Sequence, residues 1–128
     1  MDTSVWSLSL RRGGPADHAA VRKLAALLRG DEDVVLTGPI LQEILQAFRD
    51  DATFRRVAVY FAPFELLELR RGDYIVAARL HRRCVSAGVP ASTQDCQIAA
   101  AAIEHNCLLL TADEDFGRIA QHSPLRLA

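Results

Sequence analysis

Four acidic residues occupy the same kind of position, at the end of a predicted strand or on the inward face of the helix that follows. They are Asp2, Glu43, Asp95 and Asp113. Two carboxylates about 4 Å apart repel each other by roughly 4 kcal/mol at an effective dielectric of about 20. A cluster of such groups therefore needs either bound protons or a bound cation. Because carboxylate oxygens are hard ligands, the cation that they suit is Mg²⁺ or Mn²⁺.

A divalent ion held by carboxylates suits the hydrolysis of a phosphodiester bond, because it can activate water, orient the phosphate and offset charge on the leaving oxygen. Each acid also has a purely structural explanation, such as a helix cap at Asp2 or a rim residue that reaches water at Glu43. The 4 histidines fit no ligand spacing, and the sequence contains no HExxH, GxxxxGK[ST], GxGxxG or GxSxG motif.

Residues 92–116 indicate how two of these acids are positioned. Asp95 lies in the first turn of a predicted helix, for which Ser92 or Thr93 is the expected cap. Ile98 and the alanines after it follow Asp95 at helical spacing, so that Asp95 shares their apolar face. The helix is expected to end in a left-handed turn at Asn106.

A second acidic group follows the next predicted element. Residues 107–110 form a short apolar run, which predicts a strand buried on both faces. Asp113 and Asp115 come directly after it. Because sites in open α/β sheets form at the carboxyl ends of strands, Asp95 and Asp113 are expected to converge.

The rest of the chain alternates between helices and strands, which predicts an α/β fold with a mainly parallel sheet. In the helix over about 74–87, Asp73 is the expected cap, and Ile75, Ala78, Leu80 and Val85 are expected to pack inward. The further helices are predicted over about 15–29, 38–48, 52–62 and 116–121, and the further strands over about 34–37, 64–69 and 125–127.

Composition predicts one globular domain over residues 1–128, since 50% of the residues are hydrophobic and 24% are charged. The net charge of -1 provides no overall basic field for nucleic acid. Of the 15 basic residues only Lys23 is a lysine. The arginine excess suits bidentate phosphate contacts, and it is also a trait of GC-rich genomes.

The sequence predicts a soluble cytoplasmic protein with no membrane partner, because no signal peptide and no apolar run near 18 residues is present. Cys84, Cys96 and Cys107 include no CxxC pair. Buried free thiols in a reducing cytosol are therefore expected.

Four segments taken in order resemble the acidic motifs of one family. They are Asp-Thr-Ser-Val-Trp at 2–6, Leu-Thr-Gly-Pro-Ile-Leu-Gln-Glu-Ile-Leu at 36–45, Asp-Cys-Gln-Ile-Ala-Ala-Ala-Ala at 95–102 and Leu-Leu-Thr-Ala-Asp-Glu-Asp-Phe at 109–116. Together they resemble PIN-domain ribonucleases, above all the VapC-type toxins of bacterial toxin–antitoxin pairs. The chain departs from the family where only Met1 precedes Asp2 and where Gln46 and Ala47 stand in place of Arg-Gly.

The resemblance implies a PIN-like three-layer α/β/α sandwich with a mainly parallel central sheet, in a single PIN domain over residues 1–128. By the same resemblance Asp2, Glu43, Asp95 and Asp113 would be the catalytic acids. The ligands of Mg²⁺, or of Mn²⁺ in its place, would be Asp2, Asp95, Asp113 and Asp115.

The activity implied is Mg²⁺-dependent endoribonuclease cleavage of cellular RNA, either tRNA or rRNA, by a homodimeric toxin that a cognate antitoxin neutralises. Ser4 would hold the first acid or a bound water, and Thr111 would help to support the site.

Two alternatives stay open. One is a catalytically weakened PIN-fold module that acts by binding RNA or antitoxin. The other is a phosphatase with Asp2 as nucleophile, which would need an Asp-x-Asp pair and a downstream lysine.

Overall fold

The computed structural model describes Arg22, Ala26, residues 34–111 and residues 113–128. Asp2 and Ser4 lie outside these residues, and so does most of the helix predicted over 15–29, in which Arg22 and Ala26 are helical. The chain divides into two compact units, Met1–Leu67 and Glu68–Ala128. None of the described helices is long and apolar enough to cross a membrane.

Over residues 34–67, the first unit contains two helices between two parallel strands. Each strand has three residues, and the helices supply the crossover that a parallel pair requires. The α/β alternation and the parallel pairing predicted for this part of the chain are therefore confirmed. In chain order the elements are strand β1 (Val35–Thr37), helix α1 (Gly38–Gln46), helix α2 (Asp51–Phe61) and strand β2 (Glu65–Leu67).

Helices α1 and α2 both begin at side-chain caps. The Thr37 Oγ1 atom accepts a hydrogen bond from the Ile40 backbone N–H at 3.5 Å, at the start of α1. Asp50 caps α2, because Asp50 Oδ2 accepts bonds from the Thr53 hydroxyl at 2.8 Å and the Thr53 N–H at 3.0 Å. These bonds, the one from the Thr53 side chain first, lower the pKa of Asp50. Each helix thus starts where a polar side chain satisfies a backbone donor that the helix leaves unpaired.

The second unit contains three helices and one isolated parallel bridge. Helix α3 packs along α4, and α4 also contacts α5. The alanine run at 99–102 is buried within α4, and small side chains allow neighbouring helices to approach closely. The helices are α3 (Arg71–Ser86), α4 (Thr93–Glu104) and α5 (Glu114–Ala120), and the bridge joins Leu109 to Leu127.

The buried face of α3 differs from the predicted one. Ile75 and Val85 are 48% and 65% exposed, and Ala78 is also exposed, whereas Leu80 is buried as expected. The prediction was wrong for Ile75, Ala78 and Val85 because these residues lie off the helical face that packs inward. The residues that face inward recur at intervals of four, three and four, which places them on one helical face. They are Asp73, Ala77, Leu80 and Cys84.

The strand predicted over 107–110 is reduced to a single bridge. The Leu109 N–H donates to the Arg126 carbonyl at 3.0 Å, and the Ala128 N–H donates to the Leu109 carbonyl at 2.9 Å. Leu108 is 55% exposed, so the prediction of a strand buried on both faces was wrong. The edge strand expected over 125–127 is likewise only the bridge at Leu127.

The left-handed turn predicted at the end of α4 is confirmed at Asn106, whose φ is 54°. The Arg126 guanidinium donates to the Asn106 side-chain oxygen at 2.6 Å. Asparagine tolerates this backbone conformation better than most residues, because its short polar side chain bonds locally. The Arg126 contact therefore links the turn to the C-terminal segment.

Asp73 was predicted to cap α3, but the cap residue is Arg70. Asp73 is instead the third residue of the helix and stabilises its start from there. The buried Asp73 carboxylate accepts a hydrogen bond from the Arg70 N–H at 2.8 Å, and its Oδ2 lies 3.6 Å from His105 Nε2.

Replacing Asp73 with alanine removes both contacts. We expect the free energy of unfolding to fall by about 1 kcal/mol, measured by urea titration with circular dichroism.

The matched control for Asp73→Ala is Asp51→Ala. Asp51 is also an acid in the first turn of its helix, α2, but it is exposed and the cap there is Asp50. Its loss removes only a favourable interaction with the helix dipole, about 0.3–1 kcal/mol. Equal destabilisation by the two variants would mean that the Asp73 hydrogen bond contributes nothing of its own.

The cysteines are free, as predicted, and two of them are buried. Cys84 and Cys96 are each 1% exposed, whereas Cys107 is half-buried. Burial raises the pKa of the Cys84 thiol, and burial together with Cys84 and Asp95 raises that of Cys96 to about 11. Because Cys107 is more exposed than the other two thiols, we expect iodoacetamide to modify Cys107 first in the native protein. Peptide mass spectrometry checks this, and Cys84 labelled as fast as Cys107 would contradict it.

Candidate functional site

Asp113 is held at the start of α5 by two hydrogen bonds. The Thr111 Oγ1 atom accepts a bond from the Asp113 N–H at 2.9 Å, and Asp113 Oδ1 accepts one from the Asp115 N–H at 2.9 Å. The first bond sets the backbone of the turn, and the second makes Asp113 the N-cap of the helix. A carboxylate is favoured there because the helix dipole places partial positive charge at the N-terminus.

Asp95 occupies the corresponding end of α4. Ser92 caps this helix, and its Oγ accepts a hydrogen bond from the Asp95 N–H at 3.0 Å. The Asp95 side chain is half-buried. Since α4 and α5 contact each other, the second unit carries one predicted acid at the N-terminus of each of two neighbouring helices.

Asp115 is paired with a residue that sequence reasoning missed. The Arg118 guanidinium donates to Asp115 Oδ1 at 2.7 Å, one turn further along α5. The spacing of three residues between an acid and an arginine on a predicted helix was the signal for this pair. The two side chains are 37% and 51% exposed, and exposed ion pairs contribute only about 0–1 kcal/mol. The pair therefore competes only weakly with another ligand for the Asp115 carboxylate.

Three of the predicted site residues belong to the second unit, and one described residue belongs to the first. Asp113 and Asp115 share one hydrogen-bonded turn, and Asp95 belongs to the same unit. Glu43 is half-buried on α1, in the first unit. Asp2 lies outside the described residues.

The described acids fit a hard divalent cation by the chemistry of their donors, which are all carboxylate oxygens. Asp113 Oδ1 accepts a hydrogen bond from the Asp115 N–H. The other carboxylate oxygen of Asp113, Oδ2, accepts no hydrogen bond from residues that the structure describes. Within residues 34–111 and 113–128, no three His, Cys, Asp or Glu side chains form a group that could hold a metal ion. The predicted set of ligands includes Asp2, which lies beyond those ranges.

Comparison with known proteins identifies the family. A profile described as PIN domain matches residues 1–121, and the chain belongs to the PIN-domain family. The predicted family and the expected fold are thereby confirmed.

Two relatives that match the whole chain are named as ribonucleases. The chain is 32% identical to VapC ribonuclease Mb1587 of Mycobacterium bovis, over 100% of this chain and 96% of the relative. It is similar to the same extent, with the same coverage, to Ribonuclease VapC11 of Mycobacterium tuberculosis strain H37Rv.

Proposed function

We propose that this chain is a metal-dependent endoribonuclease that acts as the toxin of a toxin–antitoxin pair. The observation that carries the proposal is the similarity, over the full chain, to proteins named VapC ribonucleases. The placement of Asp95 and Asp113 at the N-termini of α4 and α5 supports it, because carboxylates held by helix starts are fixed in position before a substrate binds.

The proposed catalytic acids are Asp2, Glu43, Asp95 and Asp113, and the proposed metal ligands are Asp2, Asp95, Asp113 and Asp115. Bound Mg²⁺ or Mn²⁺ would supply an activated water and offset the charge that develops on the phosphate. The chain contributes the orientation of the ligands. Asp113 is held by the turn that begins at Thr111, and Asp95 by the helix that Ser92 caps.

The proposed substrate is structured cellular RNA, tRNA or rRNA, and the proposed regulator is a cognate antitoxin protein. A homodimer in the cytoplasm is the proposed working form, with the whole chain as one domain. These assignments extend the family membership and the names of the relatives to this protein.

The proposal is tested by incubating antitoxin-free protein with tRNA, rRNA and total RNA in Mg²⁺ or Mn²⁺, with EDTA in parallel. Discrete RNA fragments that require the metal are expected, and adding the cognate antitoxin is expected to suppress them. RNA that stays intact in both metals across all three substrates would contradict the proposal. Fragments that persist in EDTA would show a nuclease without the proposed metal site.

The two acids of the α5 turn are expected to differ in importance. Asp113→Asn should reduce the rate of cleavage by about 100-fold or more, since it removes a charged ligand of the proposed metal ion, which would stabilise the transition state. Asp115→Asn should cost about tenfold or less, because Asp115 is proposed as a metal ligand but not as one of the catalytic acids. Single-turnover rates at saturating Mg²⁺ measure both, and a larger loss at Asp115 would reverse the proposed order.

A further inference from the structure

A groove between α3 and the first turns of α4 lies outside the candidate acidic site. It has a volume of about 430 Å³, and its lining includes Tyr74 and Arg82 from α3 and Thr93 and Gln97 from α4. This volume falls within the range of about 300–1,000 Å³ that is usual for small-molecule sites. Asp95 is not among the lining residues, because it lies about 200° around the helix from both Thr93 and Gln97.

The groove combines a small apolar floor with polar walls. Ala77 and Cys96 are buried, and their small side chains leave the space open. Tyr74 is 49% exposed, so its ring is available to a flat ligand. Thr93, Gln97 and the half-buried His81 bring hydrogen-bonding groups to the same space. A wholly apolar partner would leave these polar groups without compensation.

The charge of α3 favours a polyanionic ligand. The helix carries four arginines, at 71, 79, 82 and 83, and its one acid, Asp73, is buried and bonded to the Arg70 N–H. The whole chain has a net charge of -1, so positive charge is concentrated on this helix. Arg82 is exposed and makes no hydrogen bond or ion pair with any residue in the described part of the chain.

We infer that this groove binds a single-stranded segment of RNA, with one base stacked on Tyr74 and an adjacent phosphate on Arg82. The inference rests on the proposed function for the identity of the ligand, and it adds a second contact surface away from the acidic site. Single-stranded RNA matches the groove because an aromatic ring and a nearby cation are the usual pair for holding an unpaired nucleotide. The hydroxyl of Thr93 and the amide of Gln97 can bond the edge of the base.

The test measures the affinity of the full antitoxin-free chain for a short fluorescent single-stranded RNA of mixed sequence. Anisotropy is recorded in EDTA, and a gel verifies that the RNA stays intact. Tyr74→Ala is expected to weaken binding by about fivefold or more, whereas Tyr74→Phe keeps the ring and stays within about twofold of the wild type. Tyr60→Ala is the matched control, since Tyr60 is 47% exposed and lies on α2.

The salt dependence of binding tests the arginine separately. Arg82→Ala is expected to reduce the slope of log affinity against log salt by about 0.7, the value for one phosphate contact on a single strand. Arg79→Ala is the control, because Arg79 is an exposed arginine of the same helix that does not line the groove. Equal slopes for the two variants would mean diffuse attraction to the helix and would overturn the inference.

Other occupants of the groove give different results. If Tyr74→Ala left RNA affinity unchanged but halved the mass seen in sedimentation, the groove would hold a second copy of the chain. If the variant lost only antitoxin affinity, the groove would hold the antitoxin. Both results overturn the inference.

The inference and the proposed function fail independently. Wild-type protein that cleaves RNA, together with a Tyr74→Ala variant that binds and cleaves like it, would refute the groove and leave the nuclease intact. Protein that binds RNA through Tyr74 and never cleaves it would support the groove and refute the nuclease.

Discussion

Asp95→Asn is expected to lower the rate of RNA cleavage by at least about 100-fold while leaving the fold intact. The substitution removes the charge that the proposed cation would bind, and interactions of a metal with transition-state charge are worth several kcal/mol. The asparagine side chain has nearly the same size. The hydrogen bond to Ser92 Oγ comes from the backbone N–H of residue 95, so the capped start of α4 survives the change.

Asp51→Asn is the control for the Asp95 prediction. Asp51 also lies in the first turn of a helix, α2, but its side chain is exposed and it belongs to none of the four acidic motifs. Both substitutions remove one favourable interaction with a helix dipole. Full activity in Asp51→Asn and its loss in Asp95→Asn would separate the site from helix electrostatics. Cleavage by Asp95→Asn at the wild-type rate would remove Asp95 from the proposed site.

Phe116→Ala is expected to lower the free energy of unfolding by about 3–5 kcal/mol, the largest stability change that we predict. Phe116 is 0% exposed and lies in the first turns of α5, next to the turn that holds Asp113. Its removal leaves a cavity in a densely packed interior, and the surrounding side chains refill such a cavity only in part. Urea titration followed by circular dichroism measures the change.

Phe54→Ala provides a comparison with the same chemical change. Phe54 is 40% exposed on α2, so truncating its ring removes less buried apolar surface than truncating the ring of Phe116. The loss of stability should therefore be clearly smaller for Phe54→Ala. Because the chain divides into two compact units, both variants should be followed by a second probe, intrinsic fluorescence, to detect separate transitions. Similar losses for the two phenylalanines would contradict the burial assigned to Phe116.

Helix ends proved the most predictable features of this chain. Ser92, one of two expected caps, and Asn106 lie at the two ends of α4 with the hydrogen bond and the φ value that these roles require. Such roles depend on groups within a few residues, so the local sequence contains most of the information. The short helix after the acidic cluster was also expected, although it begins at Glu114 and not at Phe116.

The family followed from the sequence for a related reason. The four acidic motifs are local in the chain, and their order along it is enough to predict membership of the PIN-domain family. Apolar spacing placed Asp95 in the first turn of a helix, which the structure confirms. Asp113 was expected directly after a strand, and the structure instead makes it the N-cap of α5.

The tertiary structure alone decided which residues of α3 are buried and how residues 107–110 pair. Ile75 and Ala77 are both apolar, yet only Ala77 is buried. The reason is that Ala77, unlike Ile75, lies on the face of α3 that packs inward. The run at 107–110 forms one bridge, to Leu127, and Leu108 remains exposed. Burial and strand pairing depend on neighbours that are distant in the chain, and apolar spacing in one segment does not specify where those neighbours lie.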